Sequence, residues 1–408
     1  MNFFTELREG LAISWGAIRA NKMRSILTTL GIVIGVVTVT LMGTAIEGLN
    51  LAFVKSVSFI GADVFYVERT DWFIKSREDW IKMSKRPRLT LAQASALARE
   101  MTLARAIAPT AESSLPVKYG RSDAQNATVT GTTDQFLLTS GVTVAEGRFL
   151  SPAECSGGRP VCVIGSQIAS NYFKGISPLG LPLTIGGRHF EVVGVLEKLG
   201  GFLDSGVDNQ VIIPLPLFTT AFLPEPDYGI QVKVGNLDQV EDAKDELRIL
   251  MRRIRRDAPT APDDFSINQQ DQVLTLFHTV AGSIEAIGLF VTGLSLFVGG
   301  IGIMNIMFVS VAERTREIGI RKAIGARRRT IMVQFLIEAI SICLIGGVLA
   351  LALAWPLTLL MQQFLPATLS PFVAGMALAV ATLTGVVSGF FPAWRAACMN
   401  PVDALRNE

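Results

Sequence analysis

Four apolar runs, each long enough to cross a membrane, constrain the fold of this 408-residue chain most strongly. A helix needs about 20 apolar residues to span about 30 Å of hydrocarbon. Transmembrane helices are therefore predicted at residues 25–49, 283–312, 331–362 and 372–392. Apolar residues make up 50% of the chain and charged residues 18%, which is typical of an integral membrane protein. A cleaved signal is the alternative for the first run, which is longer than a typical signal core and lacks a clean cleavage site.

The basic residues beside these runs predict the orientation, because cationic segments stay on the cytoplasmic side. Residues 1–24, 313–330 and 393–408 together hold 13 basic and 6 acidic residues, whereas residues 363–371 hold no basic residue. Both termini and the segment between the second and third spans of this multi-pass protein are therefore expected in the cytoplasm. Residues 1–24 are predicted to form an amphipathic helix, and residues 50–282 an external domain.

The external region is predicted to be mixed α/β, with an insertion. A strand at 62–68, a helix at 90–101 and a strand at 105–109 are followed much later by the same order at 228–234, 237–256 and 265–268. Two such β-α-β halves indicate one split lobe, 50–111 with 226–282, and an inserted strand-rich lobe at 112–225. Gly186-Gly187 between two apolar runs indicates a hairpin, and residues 70–88 are expected to be a loop or flap.

Cys155 and Cys162 lie in this external region, separated by six residues. A pair of cysteines in an oxidising compartment favours a disulfide. The alternative is two small buried residues. Only two histidines occur, His189 and His278, and they lie far apart, so no metal site is predicted.

Motifs for catalysis are missing from the 408 residues. No G-x-x-x-x-G-K-[ST] phosphate-binding loop occurs. Gly165-Ser166 lacks the pattern of a nucleophile elbow and a credible histidine base. The chain is therefore not expected to be an enzyme.

The basic segment after the second span is the candidate functional site. Residues 313–326 are predicted to form a short helix in which Glu313 reaches Arg316, and Glu317 reaches Arg321. The helix carries apolar area that a lone surface loop does not need, and Gly319 and Gly325 fit close approach or a helix end. One hypothesis is a docking site for a soluble partner, and the other a helix lying on the membrane surface. The predicted site comprises Glu313, Arg314, Thr315, Arg316, Glu317, Ile318, Gly319, Ile320, Arg321, Lys322 and Gly325.

Small and polar residues within the second span predict helix packing. Gly299, Gly300 and Gly302 allow another helix to come near, and Asn305 is expected to hydrogen-bond across a helix interface. Ordinary packing explains both features equally well. Ionisable groups are scarce in the four spans, with Glu338 and Glu285 near their ends, so no wide hydrophilic pore is predicted.

Several segments carry a family resemblance: VGGIGIMNIMFVSVAERTREIGIRKAIGA, QFLIEAI, the terminal NPVDALR, and NKMRSILT with LGIVIGV after it. They resemble the MacB macrolide-exporter branch of the FtsX-like ABC permeases. The resemblance implies a homodimer of four-span subunits, each with a porter-like lobe and an inserted lobe, bound to ATPases that hold ATP and Mg. It matches residues 313–325 to the coupling helix that seats on the ATPase, which relays motion to the external domain by mechanotransmission.

The family's exporter carries its ATPase on the same polypeptide, so a separate ATPase subunit is expected here, unless the chain is a fragment. The function expected is efflux or extrusion of antibiotics, peptides or similar substrates. A periplasmic adaptor and an outer-membrane duct are expected partners in a cell with an outer membrane. Lipoprotein release, regulation of an envelope hydrolase, and an ATP-independent receptor or scaffold remain alternatives.

Overall fold

The computed structural model describes residues 22–57, 61–74, 76–120, 122–199, 207–363 and 365–406. Two compact units divide the chain: the sheet unit, Ala52–Phe277, and the helical unit, which comprises the residues up to Leu51 and from His278 onward. The amphipathic helix predicted at 1–24 falls almost wholly outside the described residues.

The helical unit contains the predicted spans. Among the described residues, four helices are long and apolar enough to cross a membrane. They are α1 (Lys22–Val57), α9 (Gln270–Glu313), α11 (Arg328–Met361) and α12 (Pro371–Cys398), with the short helices α10 (Thr315–Ala323) and α13 (Pro401–Arg406) beside them. The helix that contains the second predicted span begins 13 residues before that span, because α9 follows the last strand directly and includes residues 270–282.

Small residues let α11 and α12 pack closely. Ala339, Ala350 and Ala381 are fully buried in one cluster with Cys343. A Cβ on Gly385 would lie 3.0 Å from the Ile340 Cα. Close approach of this kind is how helices associate in a bilayer, where apolar burial supplies little drive.

Ten strands and several short helices make up the described sheet unit. The strands are β1 (Val64–Glu68), β2 (Ala104–Lys118), β3 (Gln125–Thr132), β4 (Val144–Gly147), β5 (Val161–Ile164), β6 (Pro182–Ile185), β7 (Arg188–Leu196), β8 (Gln210–Pro214), β9 (Gly229–Val234) and β10 (Ser266–Gln269). The helices are α2 (Arg77–Ser84), α3 (Leu91–Glu100), α4 (Phe136–Thr139), α5 (Pro152–Gly157), α6 (Ser166–Phe173), α7 (Leu215–Ala221) and α8 (Val240–Arg255).

The split lobe is an antiparallel sheet in the order β10-β1-β9-β2. Both predicted β-α-β units are present, and each pair of strands has a strand of the other unit between its members. The capping box of Thr90 and Gln93 at the start of α3 is confirmed. The late bases of α8 form ion pairs, Arg252 with Asp263 and Arg255 with Asp264.

The inserted lobe continues the same sheet through β3, β8, β5, β7 and β4. The predicted boundary at residue 111 falls inside β2, which pairs with β9 up to Thr110 and with β3 from Ala111. The hairpin at Gly186-Gly187 is confirmed, with positive φ angles of 53° and 87°. The loop predicted at 70–88 is wrong in part, because Ser76 caps a helix there, α2.

Candidate functional site

The segment between the second and third spans folds as a separate short helix, α10. The break from α9 lies at Arg314, whose φ of −106° and ψ of 16° leave the helical range. The Thr315 hydroxyl donates to the carbonyls of Val311 (3.1 Å) and Ala312 (2.9 Å), which the break deprives of their usual partners. At the other end Gly325 has a φ of +99°, which favours glycine and turns the chain into α11.

The prediction of one helix over residues 313–326 is therefore wrong at its start. Glu313 ends α9, so Glu313 and Arg316 lie on opposite sides of the break and make no ion pair among the described residues. Arg314 instead reaches the buried Glu338 carboxylate of α11, at 3.5 Å. The predicted pair within α10 is confirmed: Arg321 Nη2 lies 2.5 Å from Glu317 Oε1.

One side of α10 is fixed to the helical unit. Ile318 is 3% exposed and packs in a cluster with Ile331 and Phe335 of α11, and Gly319 is buried beside it. Arg321 donates to Gln334 Oε1 (2.8 Å), and Lys322 Nζ donates to the Met399 carbonyl (2.5 Å). Burial lowers the pKa of Lys322, and Arg328 lowers it further. These contacts hold α10 in one orientation.

The opposite side, here called the docking face, is exposed. It consists of Arg316, Glu317, Ile320 and Ile324. Ile320 is 48% exposed and Ile324 82% exposed. A large apolar side chain at such exposure, between charged neighbours and on a fixed helix, is typical of a surface that another molecule covers.

An open groove of about 340 Å³ lies where α9 ends. Phe308, Thr315 and Met399 line it, and the Arg395 guanidinium lies 5.7 Å from the centre of the Phe308 ring. The groove joins the ends of α9, α12 and α13 at the base of α10.

The predicted packing glycines of α9 have different surroundings. Gly299 meets the backbone of α1: a Cβ there would lie 3.1 Å from both the Gly31 carbonyl carbon and the Ile32 amide nitrogen. Gly300 faces Ser388 of α12, and Gly302 is half-buried. Asn305 is exposed and makes no side-chain hydrogen bond among the described residues, so the predicted bond is not formed within one chain.

The disulfide considered between Cys155 and Cys162 is not formed, and both are free, buried thiols. Successive residues of a strand point to opposite faces. Cys162 of β5 packs in a cluster with Ile164, whereas Cys155 packs with Val163 on the other face of β5. Burial raises the pKa of the Cys155 thiol to about 11 and that of Cys162 further.

Sequence reasoning missed the groups that fix α10 and α9 from a distance. Gln334, Glu338 and Met399 each lie at least 13 residues from their partners, and Gly31 lies in another span. The signal available for the contact with Gly299 was that Gly31 is a small residue within the predicted first span. Within the described part of the chain, no cluster of three or more His, Cys, Asp or Glu residues fits a metal ion.

Comparison with known proteins agrees with this architecture. Residues 25–250 match the MacB-like periplasmic core domain, and residues 289–401 match the FtsX-like permease C-terminal domain. The chain belongs to the MacB-type ABC transporter permeases. Its second family match contains α10 and the docking face.

Relatives of this permease differ in length. It is 31% identical over 98% of its length to the uncharacterised ABC transporter permease YknZ of Bacillus subtilis (strain 168), and covers 100% of that protein. It is 34% identical over 99% of its length to the pyoverdine export ATP-binding/permease protein PvdT of Pseudomonas syringae pv. tomato, but spans only 60% of that protein. The solved periplasmic region of MacB from Actinobacillus actinomycetemcomitans superposes with a TM-score of 0.45 at 18% identity, covering 54% of this chain and 95% of that one.

Proposed function

We propose that this permease works in an export complex and that an ABC ATPase seats on the docking face of α10. The observation that carries the proposal is the two-sided character of α10. Ile318, Arg321 and Lys322 fix one side, while Ile320 and Ile324 remain exposed on the other. Because its other side is held in place, a helix with exposed apolar side chains can transmit force from a bound partner without unfolding.

Motion of the ATPase is then relayed to the external domain by mechanotransmission. The continuity of α9 supports this step, because the helix that ends beside α10 begins at Gln270, the residue after β10 of the sheet unit. The spans are nearly free of ionisable groups, which favours movement of a substrate outside the inner membrane over passage through the bundle.

Export is the activity that the relatives' names support, pyoverdine in the case of PvdT. The substrate class proposed for this permease is an antibiotic, a peptide or a comparable small product. The complex proposed is a homodimer of the permease in the inner membrane with both termini in the cytoplasm, together with ATPases that bind ATP and Mg. A periplasmic adaptor and an outer-membrane duct complete the path where an outer membrane exists.

The test is Ile324→Asp, with Ile249→Asp as the control. Both isoleucines are about two-thirds exposed or more, but Ile249 lies on α8 of the sheet unit. The permease is affinity-purified from the membranes of its own cells, and both the ATP-binding protein retained with it and the ATPase rate of the preparation are measured. Placing a charge on a side chain that the ATPase would bury should reduce the amount of retained ATP-binding protein about tenfold or more. The control should retain the wild-type amount. Wild-type retention by Ile324→Asp would contradict docking and favour a helix that lies on the lipid surface.

A further inference from the structure

The sheet unit contains a cavity that the ATPase-driven function does not explain. It has a volume of about 370 Å³ and lies on the face of the β10-β1-β9-β2 sheet opposite to α3 and α8. Phe65 and Val67 of β1 pack under the helices, so the alternate residues Tyr66 and Glu68 point the other way and line the cavity.

The floor of the cavity is open because β9 has a glycine at its first position. A Cβ on Gly229 would lie 2.8 Å from Thr110 Oγ1 and 3.9 Å from Glu68 Cγ. Any larger residue here would therefore intrude between β1 and β2. Gln231, one step along the same face of β9, also lines the cavity and is held by the Thr139 hydroxyl at 2.7 Å.

Two carboxylates in the cavity lack a cationic partner. Arg69, the one basic residue among the described residues that line it, already lies 2.9 Å from Asp227. Within the described part of the chain, the donors to Glu68 are both uncharged, Trp72 Nε1 (3.0 Å) and Asn268 Nδ2 (3.2 Å). Glu112 makes no ion pair among the described residues. Glu68 is half-buried and Glu112 is exposed. An unpaired carboxylate is costly to bury, so a structural role alone would favour a neutral side chain at position 68.

The electrostatic surroundings of the two carboxylates also favour an added positive charge. Partial desolvation raises the pKa of Glu68 to about 7 and also raises the pKa of Glu112. The hydroxyl of Thr130, which is 1% exposed and lies directly across the ladder from Glu112, approaches that carboxyl without completing a hydrogen bond of good geometry. Both acids therefore lie in an environment that an added positive charge would relieve.

Aromatic rings supply the remaining wall. Tyr66 and Trp72 have their ring centres 5.1 Å apart, and Tyr228 lines the cavity as well. Aromatic rings together with carboxylates are how proteins recognise organic ammonium ions, since the rings cover the carbon skeleton and the acids meet the charge. A bare metal ion would gain little from three aromatic residues.

We propose that this cavity binds a small organic ammonium ion, with Glu68 and Glu112 as the counter-charges and the aromatic rings as the apolar wall. The site lies wholly in the sheet unit, so this proposal goes beyond the proposed ATPase docking. Either proposal can fail without the other.

Isothermal titration of the full-length permease in detergent, with benzylammonium chloride as the probe and benzyl alcohol as its neutral counterpart, tests the proposal. The wild type should bind benzylammonium at least tenfold more tightly than benzyl alcohol. Glu68→Gln and Glu112→Gln should each weaken benzylammonium binding about tenfold, because each loses one counter-charge. Gly229→Ala should weaken both ligands by filling the floor.

The control is Glu241→Gln, on the exposed surface of α8, which should bind like the wild type. Thermal melting of each variant confirms folding, and Glu68→Gln should melt at or above the wild-type temperature because it removes an unpaired buried charge. The proposal is overturned if the wild type does not bind benzylammonium at millimolar concentration. It is equally overturned if benzyl alcohol binds as tightly, or if neither glutamine variant changes the affinity.

Discussion

Replacing Gly299 with alanine should loosen the contact between α1 and α9. The added Cβ would lie 3.1 Å from two backbone atoms of α1, in Gly31 and Ile32, so the helices must separate by a few tenths of an ångström. Overpacking of this kind costs about 1–3 kcal/mol. Gly293→Ala is the matched control. Gly293 lies on the same helix, and a Cβ there would meet no atom within 4 Å. Both changes gain the same helix propensity, about 0.8–1.0 kcal/mol, so their difference isolates the contact.

Thiol labelling during heating measures this difference. Cys343 is fully buried in the helical unit and Cys398 is exposed, so the full-length permease is used in a Cys398→Ser background, and labelled peptides are identified by mass spectrometry. One kcal/mol corresponds to about 2–4 °C for a unit of this size. Labelling of Cys343 should therefore begin at least about 2 °C lower in Gly299→Ala than in Gly293→Ala. Equal onsets, or a higher onset in Gly299→Ala, would refute the backbone contact.

Three further predictions concern the sheet unit, and each is measured by thermal melting of the full-length protein. Glu68→Gln should stabilise the protein at pH 8 and have little effect near pH 4.5. Burial raises the pKa of Glu68 to about 7, so the wild type loses up to about 3 kcal/mol as the pH rises through that range; a pH-independent difference would contradict this. Glu154→Gln should destabilise at pH 7, with the deficit vanishing as the pH falls towards 2, because the hydrogen bond from Arg148 lowers the pKa of Glu154 to about 2. A constant deficit would argue for packing instead. Thr90→Ala should cost about 1 kcal/mol, since it removes the cap of α3, while Thr220→Ala, whose hydroxyl bonds only within its own helix, should cost less.

Local signals in the sequence were sufficient where one short segment decides the structure. The four spans need only length and hydropathy, and helices occur at all four positions. Gly186-Gly187 formed the expected hairpin because few other residues adopt positive φ at two successive positions. The capping box at Thr90 likewise depends on residues three apart.

Features that depend on distant partners could not be predicted. The break at Arg314 is accompanied by an ion pair with Glu338, 24 residues away, which outweighs the local attraction of Glu313 for Arg316. Spacing suggested that Cys155 and Cys162 pair, but β5 places them on opposite faces. The cavity needs Glu68 and Glu112 on separate strands, brought to one face by the register of β9 between them.

The shared strand β2 limits how the two lobes of the sheet unit can move. An inserted lobe joined by two flexible linkers can swing as a rigid body. Here one of the two connections is a strand whose ladder passes from β9 to β3 between Thr110 and Ala111 without an unpaired gap. Because the β9 ladder ends at Thr110 and the β3 ladder begins at Ala111, a bend at that point would leave both ladders intact. The least costly displacement of the inserted lobe is therefore a pivot about this junction, whereas a bend elsewhere along β2 would break ladder hydrogen bonds.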